Sequence, residues 1–211
     1  MSVFIIQSGK DQSATSTVFI MGETATGKTD LALALHDELL EESGSDLISV
    51  DSALVYRDMD IGTAKPDAQT LVKAPHQLID IIDPGEVYSA GQFRDDALRL
   101  MQRSVSKQHT PILVGGTMLY FNTLQKGMAD MPEVNEATKK AIDEEAKTNG
   151  LLAMHERLKS VDPVSAERIH SNDTQRIKRA LELYDFTGES LTDFWLEQEK
   201  NRDEHAFPYR R

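Results

Sequence analysis

Cysteine is absent from all 211 residues of this chain. Disulfide bonds, thiolate nucleophiles and cysteine-ligated zinc sites are therefore excluded. A chain without cysteine suits the reducing conditions of the cytoplasm, where disulfides are rare. We therefore expect a cytoplasmic protein.

Long apolar runs are also missing. No apolar stretch approaches the roughly 20 residues that a membrane-spanning helix requires. The run at 1–6 is short and has no basic flank, unlike a secretory signal peptide. We expect a soluble protein with no membrane partner, and we take it to be a monomer.

Positively charged residues are outnumbered by negatively charged ones. The chain has 23 Lys and Arg against 35 Asp and Glu, which gives a formal net charge of −12. This excess of acid disfavours broad, non-specific binding to nucleic acids. A local basic surface is still compatible with it. The densest group of basic side chains comprises Arg168, His170, Arg176, Lys178 and Arg179.

One complete phosphate-binding motif is present. Residues 22–29 read Gly-Glu-Thr-Ala-Thr-Gly-Lys-Thr, which matches G-x-x-x-x-G-K-[ST]. The apolar run at 17–21 predicts a buried strand before the motif, and leucines at helical spacing over 28–40 predict a helix after it. This order is the context that the motif requires. The alternative is an ordinary strand-to-helix turn that happens to carry a lysine.

The positions of the motif explain how it would hold a polyphosphate. Backbone N–H groups of the loop and the helix N-terminus attract an anion. Lys28 reaches the distal phosphate, and the Thr29 hydroxyl ligates a magnesium ion, so Mg²⁺ is the expected cofactor. The predicted phosphate-binding residues are Gly22, Thr24, Ala25, Thr26, Gly27, Lys28 and Thr29.

Strands alternate with helices after the motif. Further strands are predicted at 46–50, 78–82 and 111–114, and the capping-box pattern of Ser89 and Gln92 opens a helix to about residue 108. Such alternation predicts an α/β fold, namely a P-loop NTPase-like parallel sheet flanked by helices.

Ligands of a parallel sheet bind beyond the carboxyl ends of its strands. The phosphate loop, Asp51 and the turn at 115–117 should therefore meet at one edge. Three roles are possible for Asp51: it could hold magnesium, act as a general base that takes a proton from a nucleophile, or cap a solvated turn. The strand at 111–114 leads into Gly-Gly-Thr rather than an acidic pair, which disfavours a motor-type ATPase.

The pattern changes at about residue 132. Strand signals disappear, and charged helices are predicted at 133–148, 151–160, 163–169 and 173–187. Asp173 is expected to cap the last of these, and Gly188 to end it. The predicted organisation is an α/β core at 15–131 and a smaller all-helical subdomain at 132–204.

Several segments beyond the phosphate loop follow one another in a fixed order, at 51–56, 59–66, 76–80, 83–84 with 88–90, 114–120 and 173–182. Together they resemble the tRNA dimethylallyltransferase family, also called tRNA isopentenyltransferases, from about residue 18 to 190. The phosphate loop is generic, whereas Asp-Ser-x-x-Val-Tyr combined with Ile-Gly-Thr-Ala-Lys-Pro is highly specific. Glu23 and Gln77 depart from the family's usual proline and histidine, away from the phosphate-gripping positions.

The resemblance implies a prenyl transfer. The exocyclic amine of an adenosine beside the tRNA anticodon attacks the first carbon of dimethylallyl diphosphate, and pyrophosphate leaves. Lys28 would stabilise the charge that grows on the leaving group. Asp51 would take the proton of the amine. Thr117 would bond the diphosphate or the base, although a simple helix N-cap is its alternative reading.

The resemblance also implies a surface for tRNA. The helical subdomain would contact the anticodon stem-loop, whose adenosine must be extruded to react. The alternative reading of its basic helix is a surface paired with nearby carboxylates. The implied tRNA-contacting residues are Asp51, Ser52, Ala53, Leu54, Lys139, Gln175, Arg176, Ile177, Lys178 and Arg179.

Two other functions stay open from the residues alone. A small-molecule or nucleoside kinase would bind ATP in the loop and use Asp51 as base toward a hydroxyl. A non-catalytic RNA-binding module would keep the loop as a relic, although the intact Lys28, Thr29 and Asp51 argue against it. The resemblance further implies that 205–211 is the start of a truncated return to the core, because family members continue past this region into another core strand and an arginine-bearing segment near the substrates.

Overall fold

The computed structural model describes residues 1–8, 16–127, 131–200 and 209–210. The chain forms two compact units, Met1–Gly127 with Ala206–Arg211, and Met128–His205. The predicted start of the core at residue 15 is too late, because the strand Ser2–Ser8 belongs to the sheet of the first unit. Of the predicted return at 205–211, the described part is Tyr209–Arg210, which pairs with that strand.

The sheet of the first unit has six strands among the described residues, namely β1 (Ser2–Ser8), β2 (Ser16–Met21), β3 (Ser45–Val50), β4 (His76–Gln77), β5 (Thr110–Gly115) and β6 (Tyr209–Arg210). Their order in the sheet is β4-β3-β5-β2-β1-β6. The central pairs β3–β4, β3–β5 and β2–β5 are parallel, as a P-loop NTPase-like fold requires. The outer strands β1 and β6 are antiparallel to their neighbours, which the prediction of a parallel sheet missed.

Helices cover both faces of the sheet. They are α1 (Lys28–Glu42), α2 (Ala68–Lys73), α3 (Ala90–Ser106) and α4 (Met118–Lys126). The predicted capping box of α3 is confirmed, since the Ser89 N–H donates to Gln92 Oε1 at 2.8 Å and the Gln92 N–H donates to Ser89 Oγ at 3.2 Å. Helix α2 was not predicted.

Two apolar layers hold the helices to the sheet. One face packs Phe19, Ile48 and Leu113 against α3 and α4, and the other packs Ile20 and Leu47 with the leucines of α1. Because both faces are buried, the central strands are continuous apolar runs rather than alternating ones. This burial fixes the strand ends from which the site is built.

The predicted strand at 78–82 is wrong. Only His76–Gln77 pairs with β3, because Leu78 and Asp80 have φ values of 64° and 55°, in the left-handed region. The N–H groups of Asp80 and Ile81 donate instead to the carbonyls of Leu54 and Val55. The apolar run at 78–82 therefore forms a partly buried turn that packs on the segment after β3.

The second unit is helical. Its described helices are α5 (Glu136–Val161), α6 (Pro163–Arg168), α7 (Thr174–Thr187) and α8 (Leu191–Lys200). Gly150 interrupts α5 with φ 78° and ψ 163°, where the sequence predicts a break. Asp173 caps α7, and Gly188 ends it in the left-handed conformation, as predicted. Helix α8 was not predicted, and no described helix has the length and apolarity of a bilayer span.

A buried carboxylate joins two helices of this unit. Asp162 accepts hydrogen bonds from the Ser165 N–H at 3.0 Å, which starts α6, and from the Thr192 N–H and hydroxyl at 3.0 and 2.6 Å, at the start of α8. Burial by itself raises the pKa of Asp162, but these hydrogen bonds outweigh it and hold the pKa below its ordinary value.

Replacing this carboxylate should destabilise the second unit in a pH-dependent way. Asp162→Ala leaves the N–H groups of Ser165 and Thr192 without this acceptor, so we expect a loss of about 2 to 3 kcal/mol at pH 7. Because the folded pKa is lowered, the stabilisation is present above the unfolded pKa of about 3.9 and is lost as pH falls through the folded value. Urea unfolding at pH 7 and pH 3 measures both.

The matched control is Glu156→Ala, which removes an exposed carboxylate of α5. It should change the free energy of unfolding by less than about 0.5 kcal/mol. Equal effects of the two substitutions, or a loss for Asp162→Ala that does not shrink at pH 3, would contradict this account of the carboxylate.

Candidate active site

The phosphate loop forms the turn between β2 and α1. Gly27 is the N-cap of α1 and has φ 79°, a conformation that favours glycine, and Ala25 is also left-handed at 64°. The Lys28 ammonium donates to the Glu23 carbonyl at 2.6 Å, and the Thr26 hydroxyl donates to the same oxygen at 2.8 Å. The lysine therefore lies across its own loop.

Asp51 follows the carboxyl end of β3. One of its oxygens, Oδ1, accepts from the Ala53 N–H at 2.8 Å and more weakly from the Leu54 N–H at 3.4 Å. Within the described part of the chain, no donor contacts its other oxygen. Asp51 thus caps its turn, as one reading predicts, and still has an oxygen available to a proton or an ion.

Thr117 connects α4 to the Asp51 turn. Its hydroxyl oxygen accepts the Ser52 N–H at 3.0 Å, and its own N–H donates to the Val50 carbonyl at 3.2 Å. Thr117 occupies the N-cap position of α4, but its side chain makes no capping bond to that helix. The alternative interpretation of Thr117 as a helix N-cap is therefore confirmed for its position, while its side chain bonds the Asp51 turn instead of the helix.

The loop and the Asp51 turn line one cavity of about 230 Å³. Of the predicted site residues, it is lined by Thr24, Ala25, Gly27, Lys28, Thr29, Asp51 and Leu54. The predicted residues Gly22, Thr26, Ser52, Ala53 and Thr117 belong to the same segments but are not part of the lining. The sequence therefore predicted the phosphate-loop side of the cavity.

Another part of the lining received no role from the sequence. It comprises Asp30, Ser49, Thr63, Ala64, Pro66, His76, Ile79 and Val114. Gly115 also lines the cavity, and it belongs to the turn at 115–117 that was predicted to lie at this edge. Thr63, Ala64 and Pro66 belong to the Ile-Gly-Thr-Ala-Lys-Pro segment, which served only to recognise the family. That segment was therefore the sequence signal that could have identified this part of the cavity lining.

His76 contributes a neutral imidazole to the lining. Its Nδ1 lies 2.8 Å from the Ala74 carbonyl, so Nδ1 carries the hydrogen and donates it. Burial lowers the pKa of His76, although that hydrogen bond acts in the other direction. Its Nε2 is buried and has no hydrogen-bond partner in the described part of the chain.

The predicted tRNA-contacting helix α7 has two distinct faces. Gln175, Arg176 and Arg179 are exposed, and the arginines have their nearest carboxylates at 3.4 Å in Asp173 and 3.9 Å in Glu182. Ile177 is fully buried in the apolar core of the unit, so the prediction that it contacts tRNA is wrong for its side chain.

The remaining predicted tRNA contacts in this unit are lysines held by acids. The Lys178 ammonium donates to Asp143 at 2.6 Å, which ties α7 to α5. The Lys139 ammonium donates to Glu136 at 2.8 Å, and this hydrogen bond raises the pKa of Lys139. The contact of both lysines with RNA stays a prediction.

A family model described as IPP transferase matches residues 54–210. The chain belongs to this family. The tRNA dimethylallyltransferase of Chromohalobacter salexigens is 52% identical over 193 residues, which cover 92% of this chain and 59% of the relative. The tRNA dimethylallyltransferase 2 of Hahella chejuensis is 54% identical over 178 residues, which cover 84% of this chain and 52% of the relative. The chain thus spans somewhat more than half the length of these curated relatives.

Solved structures related to the IPP transferase family share the fold. The full-length tRNA isopentenylpyrophosphate transferase of Bacillus halodurans aligns at 33% identity with a TM-score of 0.50, over 89% of this chain and 65% of that one. A eukaryotic dimethylallyltransferase acting on tRNA aligns at 27% identity with a TM-score of 0.70, over 86% of this chain and 44% of that one. The resemblance seen in the motifs is therefore confirmed at the level of family and fold.

The donor set of this IPP transferase site suits magnesium bound mainly through a phosphate. The described residues contain no group of three or more His, Asp or Glu side chains arranged to hold a metal. Thr29 and Asp51 do line the same cavity with oxygen atoms. Since Mg²⁺ usually takes one or two protein oxygens and completes its shell with phosphates and water, these two residues fit it.

Proposed function

We propose that this chain carries the diphosphate-binding and catalytic part of a tRNA dimethylallyltransferase. The reaction transfers a dimethylallyl group from dimethylallyl diphosphate to the exocyclic amine of an adenosine adjacent to the tRNA anticodon, and it releases pyrophosphate. The observation that carries the proposal is the cavity that Lys28 and Asp51 line together. The relatives named tRNA dimethylallyltransferase support it independently.

The phosphate loop would act on the leaving group. As the bond between carbon and oxygen breaks, negative charge grows on the diphosphate. The Lys28 ammonium and the loop N–H groups supply fixed positive charge where this charge develops, so they stabilise the transition state more than the ground state. To do so, Lys28 exchanges the Glu23 carbonyl, its acceptor at 2.6 Å, for a phosphate oxygen.

Magnesium would assist the same event. Thr29 is the residue that would hold it, and when bound it would neutralise part of the diphosphate charge. The phosphate loop would orient the diphosphate both with and without the bound ion.

Asp51 would accept the proton of the attacking amine. An exocyclic amine of adenine is a weak nucleophile, so removal of its proton as the new bond forms is useful. The amides of Ala53 and Leu54 hold one carboxylate oxygen at 2.8 and 3.4 Å, which fixes the orientation of the group. The other oxygen is then the one that takes the proton.

Thr117 would act on this chemistry through the backbone. Its hydroxyl oxygen holds the Ser52 N–H at 3.0 Å, directly after Asp51 in the chain. This bond helps to set the turn that carries the carboxylate. A direct contact of Thr117 with the diphosphate or the base stays a prediction.

The helical unit would bind the RNA. Arg176 and Arg179 are exposed, and their ion pairs with Asp173 and Glu182 join residues three apart on the helix surface. Exposed pairs of this kind contribute little, so phosphates can replace the carboxylates at small cost. Gln175 lies beside Arg176 and offers an amide for the base edges of an unpaired loop.

A substitution of Asp51 distinguishes a role in catalysis from a role in substrate binding. Asp51→Asn keeps the shape of the side chain but cannot accept the proton, so the rate of labelled dimethylallyl transfer to unmodified tRNA should fall about 10²-fold or more. The affinity for dimethylallyl diphosphate should change less than about threefold. A parallel loss of affinity and rate would instead identify Asp51 as a magnesium ligand, and an unchanged rate would contradict its role as base.

The arginines of α7 test the proposed RNA surface. Replacing Arg176 and Arg179 together by alanine should weaken tRNA binding and reduce its log–log salt slope by roughly 1.4 to 1.8, because two phosphate contacts are lost. Filter binding over a salt series measures both. The charge-matched control is the double replacement of Arg99 and Arg103 on α3, which should leave the slope unchanged. An unchanged affinity and slope in the α7 variant would mean that these arginines form local ion pairs and do not contact tRNA.

A further inference from the structure

A buried lysine stands beside the cavity without lining it. The side chain of Lys65 is only 5% exposed. Its ammonium donates to the Asp80 carboxylate at 2.5 Å, to the Asp60 carboxylate at 2.7 Å and to the Tyr56 carbonyl at 3.1 Å. Burial alone lowers the pKa of Lys65, but the hydrogen bonds and charges of the two aspartates raise it above its ordinary value.

This lysine has no capacity left for a phosphate. An ammonium group has three hydrogens, and three acceptors already take them. Two carboxylates against one ammonium also leave no surplus positive charge at the site. Lys65 therefore differs from Lys28 in function, although both are lysines close to the same cavity.

The acceptors of Lys65 belong to three separate segments of the chain. Tyr56 follows the Asp51 turn, Asp60 precedes the Ile-Gly-Thr-Ala-Lys-Pro segment, and Asp80 lies in the turn after β4. The Asp80 N–H also donates to the Leu54 carbonyl at 3.1 Å, which joins the first and last of these segments directly. Lys65 is thus a junction at which all three meet.

Each of these segments contributes an apolar side chain to the cavity. The contributors are Leu54, then Ala64 and Pro66, and then Ile79, which we call the apolar wall. All four lie within two residues of Lys65 or of one of its acceptors. The phosphate loop lines the same cavity with polar groups, so the cavity has the two characters of a molecule with a charged head and a short hydrocarbon tail.

We propose that Lys65 is a positioning residue that holds the apolar wall together, and that this wall receives the hydrocarbon chain of the allylic diphosphate. The inference rests on the proposed function, since it names the part of the cavity that binds the tail of that substrate. Removing the ammonium would leave two carboxylates facing each other without their cation, and the segments would separate.

Two ligands of equal charge distinguish the contribution of the apolar wall to binding from that of the phosphate loop. Methyl diphosphate and dimethylallyl diphosphate carry the same head group but differ by four carbon atoms. With magnesium present, the wild-type chain should bind the dimethylallyl compound at least about tenfold tighter, because those carbons leave water against the wall. Isothermal titration with each ligand gives this ratio of affinities.

Lys65→Met should reduce the ratio to about threefold or less and leave the affinity for methyl diphosphate within about twofold of wild type. Lys28→Ala should weaken both ligands alike and keep the ratio. Lys73→Met, which removes an exposed lysine of α2, should change neither affinity. A purely structural loss would weaken both ligands together, so the selective loss is the signature of positioning.

A second variant covers the case in which Lys65→Met does not fold, as judged by circular dichroism. Asp80→Asn keeps the lysine and weakens one of its ion pairs, so it should lower the same ratio by a smaller factor. A wild-type ratio in either folded variant would overturn the role of Lys65. A wild-type chain with no preference for the longer ligand would overturn the apolar subsite, and if labelled transfer to tRNA still occurs, the proposed function survives that result.

Discussion

The close approach of Gly115 to the Val50 carbonyl sets the geometry on which the site depends. A Cβ atom at position 115 would lie only 2.0 Å from that oxygen, so only glycine allows β5 to run this close to the end of β3. The same region fastens the other segments, since the Gly22 N–H donates to the Gly115 carbonyl at 3.3 Å and the Thr117 N–H donates to the Val50 carbonyl at 3.2 Å. The starts of the phosphate loop, of the Asp51 turn and of α4 are thus joined by main-chain contacts.

Charge is distributed around this framework in two different ways. Lys28 bonds only a backbone carbonyl among its described contacts, and it is therefore able to exchange that acceptor for a phosphate. Lys65 is enclosed by two carboxylates and a carbonyl, and it therefore serves to hold chain segments. A chain with a net charge of −12 attracts a diphosphate only where cations are left unmatched, so the proposed site of the head group is the loop rather than the wall.

The features that depend on local sequence were predictable. The phosphate loop, the capping box of α3 and both ends of α7 follow from short-range hydrogen bonding between residues a few positions apart. The features that depend on distant partners were not. The run at 78–82 turns because its N–H groups find acceptors near Leu54, and Thr117 binds Ser52 from 65 positions away. For the same reason, the burial of Ile177 within an otherwise charged helix segment and the contribution of Ala64 and Pro66 to the cavity became visible only in the folded chain.

The bond that is broken in the cavity decides between prenyl transfer and phosphoryl transfer. The direct measurement supplies unmodified tRNA, ATP, and dimethylallyl diphosphate labelled at its first carbon, and it follows all products in one reaction. The account predicts label in the tRNA, an equal amount of released pyrophosphate, and no consumption of ATP. Consumption of ATP with no label in the tRNA would contradict it.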